Sequence, residues 1–186
     1  MIRFKRIHTI YSNVAKNNNI NNYPGADVGT DPSLTESFIW NNLLLLYQNC
    51  INPLLDEFGS SIKITSAYRS KALNSFLGGT PNSQHIKGYA VDLVSHSHPS
   101  STLWNWCFQN LPKFNQLIWE YPEKGNFAPN QQEFSHIHIS YTEENNKKAT
   151  SISSEREDLH EMYQGELTNK IGKYTHGITL ADENLL

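Results

Sequence analysis

"SQHIKGYAVDL", Ser83–Leu93, is the stretch on which the reading of the chain turns. It sets His85 and Asp92, two metal-capable side chains, on either side of a glycine at position 88. Gly88 lets the backbone turn sharply, because glycine adopts positive φ without a Cβ penalty. "GYAVDLV" after it has strand composition. A lone His-x6-Asp pair is ordinarily a surface histidine and a turn aspartate, so the flanking sequence has to decide.

The next strong pattern lies downstream. In "HIHIS", His136–Ser140, alternation is strict. A strand there puts His136, His138 and Ser140 on one face and Ile137 and Ile139 on the other. The isoleucines can pack on a helix while two histidines project together from the opposite side. One strand histidine is usually structural. Two on one face, in a chain that also carries His85 and Asp92, favour a metal. Catalytic zinc takes three protein ligands and keeps one position open. His85, Asp92 and one of His136 or His138 make such a set. It contains no thiolate, which favours an open catalytic site over a closed structural one.

The surrounding elements follow from punctuation and period. "NNNINNYPGADVGTDP", Asn17–Pro32, is loop chemistry. "SLTE" at Ser33–Glu36 fits a capping box opening a long helix. Pro53 should kink or split that helix, and Gly59 should stop it. "SIKITS" reads as a strand, "SKALNSFL" as a short helix ended by Gly78 and Gly79. "SSTLWNWCFQNL" reads as a helix and "NQLIWEY" as a further strand. After Tyr141 the chain turns polar, with one amphipathic helix expected near Ser154–Tyr163. Three parts are expected: a loop-rich lead-in over 1–32, a metal-binding domain over 33–142, and a polar C-terminal appendage over 143–186.

Composition removes several classes. Net charge is −3, so no broad basic surface awaits nucleic acid, which counts against a nuclease built on the HxH pair. No apolar run approaches the roughly 20 residues that cross a bilayer. The N-terminal stretch has no sustained apolar core and no small-residue cleavage site, so it does not read as a secretory signal. Cys50 and Cys107 sit in apolar helical patterns, expected as buried free thiols rather than ligands. His96 and His98 in "SHSHP" read as a solvated loop.

Two further side chains are candidates. Glu120 ends the apolar strand "NQLIWE", where a carboxylate can reach a site and act as general base. Arg69 in "SAYRS" follows a strand and precedes a helix, where its fork could hold a substrate carboxylate.

"ITSAYRSKALNSFLGGTPNSQHIKGYAVDL", then "LIWE", then "HIHIS", resembles the zinc D-Ala-D-Ala carboxypeptidases and related phage endolysin peptidases, which share a fold with the Hedgehog signalling domain. The resemblance covers about Ser33–Tyr141. It implies an α+β fold: a small antiparallel sheet, helices packed on one face and a zinc cleft on the other. It implies zinc held by His85, Asp92 and His138, with His136 beside it as a transition-state donor. It assigns Arg69 and Ser83 to substrate binding. Glu120 takes the place of the Hedgehog-type glutamate. Other branches keep the base three residues before the last ligand; Ser135 stands there and cannot serve, so Glu133 is the reserve. The implied activity is hydrolysis of peptidoglycan stem peptides, by a protein made in the cytoplasm and acting on the wall after release or within a phage particle. The C-terminal segment would then meet an assembly partner. The competing expectation is a zinc-bearing binding or structural module, such as a phage particle component.

Overall fold

The structure, a computed structural model, describes residues 12–120 and 136–144 and the strands 148–152, 158–163 and 166–171. The fold class is the expected α+β arrangement. Four strands carry the site: β1 (Ile62–Ser66), β2 (Ala90–Ser95), β3 (Gln116–Glu120) and β4 (His136–Ser140). They lie in the order β1-β2-β4-β3, and every neighbouring pair is antiparallel. β5 (Lys148–Ile152) adds to the outer edge of β3 in parallel, and β6 (Asp158–Tyr163) and β7 (Glu166–Ile171) continue the sheet antiparallel.

One face of the sheet makes the core. Val91 and Leu93 of β2, Leu117 and Trp119 of β3, and Ile137 and Ile139 of β4 are all buried on it. Helix α2 (Glu36–Leu46) contributes Ile39, Leu43 and Leu46 to this cluster, and α5 (Ser100–Asn110) contributes Leu103, Trp104 and Cys107. The alternation in "HIHIS" therefore works as expected: isoleucines inward, His138 on the other face.

Local structure departs from expectation in four places. A short helix α1 (Ser12–Asn17) precedes the Asn-rich loop. Thr35, not Ser33, caps α2: its Oγ1 accepts from Phe38 N–H at 3.2 Å, while Ser33 Oγ donates to Asp31 at 2.6 Å. The Ser33 box fails because Asp31 offers a nearer, charged acceptor. The division expected at Pro53 does occur, but as a π-helical turn rather than a simple kink. A π-helical turn, Tyr47–Ile51, precedes α3 (Asn52–Phe58), so proline falls in the first turn, where its missing N–H costs nothing. The fourth difference is β6, a strand where a helix near Ser154–Tyr163 was expected. Backbone pairing with β5 and β7 outweighs the weak helical period of that stretch. Gly59 ends α3 as expected, at φ 58°.

The Asn-rich loop is packed against the body. Asn22 Oδ1 accepts from Ser70 N–H at 2.6 Å and Asp27 Oδ2 from Lys71 N–H at 2.8 Å. These are orphan donors at the start of α4 (Lys71–Phe76), satisfied from outside the helix. Both cysteines are free and buried, and burial pushes the Cys50 thiol up to about 12. Among the described residues, no helix is long and apolar enough to cross a membrane.

Candidate metal centre

The site is built where β1, β2 and β4 lie side by side. Asp92 of β2 pairs in register with His138 of β4, so both project from the same face. Ser66 of β1 is the partner of Asp92 on the other side, after a register shift that bulges β1 between Ile64 and Ser66. His85 arrives from a 3-10 turn, Gln84–Lys87, that ends at Gly88 in the left-handed region, φ 70°. A Cβ at Gly88 would stand 2.9 Å from the Ile39 carbonyl oxygen and 3.2 Å from the Ile39 side chain of α2. Only glycine lets this turn lie so close to the helix that backs the sheet.

Three donors converge. His85, Asp92 and His138 each bring one ligand atom to within 4.8 Å of the other two, and all three residues are buried. Asp92 Oδ1 lies 3.2 Å from His85 Nε2 and 2.9 Å from His138 Nδ1. Among the described residues this is the one such group.

The proton inventory shows what the centre is fit for. His85 Nδ1 lies 2.7 Å from the Ala67 carbonyl oxygen, which can only accept, so Nδ1 carries the proton. Burial lowers the His85 pKa and outweighs the upward pull of the Asp92 charge, so the ring stays neutral near pH 7. Its Nε2 is then a bare lone pair facing a carboxylate oxygen. Burial would raise Asp92, but a hydrogen bond from His138 helps hold the carboxyl well below the usual carboxylate range. The Arg69 guanidinium, 2.6 Å from Oδ2, acts in the same direction. A buried anion beside a bare imidazole nitrogen, with no proton between them, is a poor arrangement for protein alone. It suits a cation. Two imidazoles and one carboxylate, with no sulfur, fit zinc with an open position.

Arg69 reaches the site, but its NH2 donates to Asp92 Oδ2 at 2.6 Å and its Nε to Ser66 Oγ at 2.8 Å. Ser83 stands at the start of the 3-10 turn, two residues before His85. His136 is half-buried on β4, and its register partner on β3 is Glu120, two residues along the strands from the Ile118–His138 pair. Glu133 and Ser135 lie outside the described residues. His98 packs edge-on against the Phe58 ring with centroids 5.1 Å apart, away from the centre.

Two contributors escaped sequence reasoning. The Ala67 carbonyl fixes the His85 ring, and no side-chain pattern marks a carbonyl. Ser66 holds Arg69; its place directly before "AYR" on a strand end was the one available hint.

The buried two-histidine, one-aspartate group on the sheet is one that could hold a metal ion. The chain matches the family Peptidase M15 over residues 26–123, just over half its length, and belongs to that family. The match takes in His85, Asp92, Arg69 and Glu120; His138 lies beyond it and is joined to the centre by the β2–β4 register. A search of curated proteins finds no match.

Proposed function

We propose that this chain is a zinc-dependent peptidase that cuts the stem peptides of bacterial peptidoglycan, as a D,D-carboxypeptidase or an endopeptidase of endolysin type. The observation that carries the metal part is the convergence of three buried donors, with Asp92 Oδ1 3.2 Å from His85 Nε2 and 2.9 Å from His138 Nδ1. His85, Asp92 and His138 would hold the ion. Zinc so held supplies Lewis-acid polarisation of a carbonyl and acidifies water.

The chain's own groups do the rest. His85 is oriented by Ala67 and stays neutral, so a ligand lone pair is available at neutral pH. Glu120 takes a proton from the attacking water and returns it to the leaving amine. Its support is the register that pairs it with His136 beside the Ile118–His138 pair. His136 donates a hydrogen bond to the developing oxyanion. Ser83, at the turn that presents His85, binds substrate backbone. Arg69 as an anchor for a substrate carboxylate competes with the contacts its Nε and NH2 already make. The peptidoglycan substrate, the phage association and a partner role for the C-terminal segment rest on the sequence resemblance alone.

The test is mass spectrometry of purified peptidoglycan fragments after incubation with the protein. Cleavage of a stem-peptide bond, abolished by a chelator and restored by zinc, is the expected result. Stoichiometric zinc without cleavage of any such fragment would favour the binding-module reading instead.

A further inference from the structure

The two oxygens of Asp92 have different surroundings. Oδ1 faces both histidines, at 3.2 Å and 2.9 Å, whereas Oδ2 receives Arg69 NH2 at 2.6 Å. Arg69 is itself held from several directions. Its Nε donates to the buried Ser66 Oγ at 2.8 Å, and its backbone N–H donates to the His85 carbonyl at 3.1 Å. The segment Ser66–Arg69 thus touches both ligands that flank it: the Ala67 carbonyl sets the His85 ring, and the Arg69 side chain sets the Asp92 carboxylate. The β1 bulge is what brings Ser66 level with Asp92.

We infer that Arg69 is a positioning residue: it reserves Oδ2 of Asp92, so that Asp92 offers the metal a single oxygen, Oδ1. A carboxylate with both oxygens open can bind zinc through both and fill the position that a catalytic site must leave to water and substrate. A guanidinium fixed by a serine prevents this, because its planar fork holds Oδ2 in one direction. Outer contacts of this kind orient ligands and tune the ion. The job differs from the substrate anchoring expected of Arg69, since the edge formed by Nε and NH2 is committed to Ser66 and Asp92.

This inference rests on the zinc reading, and its test is separable from peptidase activity. The full chain is loaded with Co(II) in place of zinc, and its visible spectrum is compared with those of Arg69→Met, Arg69→Lys and Ser66→Ala. Zinc affinity is measured in parallel by competition with a chromogenic chelator. The unaltered protein should show the intense visible bands of low-coordinate Co(II). Arg69→Met should show weaker, shifted bands, as the freed Oδ2 joins the metal. Its zinc affinity should change with them, falling by about tenfold to a hundredfold, the usual effect of losing such a partner. Arg69→Lys should recover part of the affinity but not the spectrum, because an ammonium supplies charge without the fork. Ser66→Ala, which leaves the arginine in place but loosens it, should move the spectrum in the same direction by less. Unchanged spectra in both Arg69→Met and Ser66→Ala would overturn the inference while leaving the zinc reading intact. Failure of the unaltered protein to bind either metal would overturn both.

Discussion

At the scale of single residues the centre is an electrostatic compromise. His85 is buried deeply enough to stay neutral, and Asp92 is kept ionised by the groups around it. This has a consequence for the metal-free protein. The folded His85 pKa lies below its unfolded value of about 6.5, so the unfolded chain binds more protons as pH falls beneath that point. The folded Asp92 pKa lies below about 3.9, so its contribution is present above that pH and is lost as pH falls through the folded value. Both terms have the same sign. Urea unfolding of the metal-free protein should therefore show stability falling as pH drops from about 6.5, by at most about 1.4 kcal/mol per pH unit for the one His85 proton. Stability that rises on acidification over that window would contradict a neutral buried His85. The catalytic base has its own test at this scale. Glu120→Gln should keep zinc and lose activity by about two orders of magnitude or more. A nearly unaffected Glu120→Gln beside an inactive Glu133→Gln would transfer the role to Glu133. Strand alternation and one glycine turn make His85, Asp92 and the pair His136 and His138 legible in the sequence; only the family resemblance picks out His138, the register partner of Asp92. Ala67 is not legible, since a carbonyl contributes the same atom whatever its side chain.

At the scale of elements, the site depends on how closely the His85 turn approaches α2. Gly88 has positive φ and its Cα faces the Ile39 carbonyl, while Asn42 Nδ2 of the same helix donates to the Lys87 carbonyl at 2.9 Å. Gly88→Ala should cost about 2 kcal/mol or more, from left-handed strain and from the clash with α2. Because the turn carries His85, zinc affinity should fall with melting temperature. A variant of unchanged stability and affinity would show that the turn can move away from α2 freely. Helix and strand positions were largely readable from period and punctuation. Caps were less so: Ser33 and Thr35 both suit an N-cap, and the choice fell to Asp31, whose carboxylate takes the Ser33 hydroxyl. The π turn before Pro53 leaves no sequence period of its own, because it inserts one residue into an otherwise helical stretch.

At the scale of the whole molecule, the sheet continues past the metal centre. β5 lies parallel to β3, with Gln116 opposite Lys148 and Glu120 opposite Ile152, and Ala149 is fully buried. A chain ended at Ile152 should keep its zinc and most of its stability. A chain ended at Glu144 should melt lower and associate more readily, because the edge of β3 loses its partner. Equal melting temperatures for the two would show that β5 adds nothing to the fold. The strand character of 158–163 was hidden in the sequence because its pairing is with β5 and β7, and long-range pairing leaves little local trace. Near the centre the local signal is stronger: His138 sits at a fixed point of the alternation in "HIHIS", and His85 on the turn that Gly88 ends. The most direct measurement of the metal centre is the zinc content of the purified, dialysed chain beside that of the His85→Ala/His138→Ala double variant. About one zinc per chain is expected in the first and none in the second; stoichiometric zinc in the double variant would place the metal elsewhere and contradict the assigned ligands.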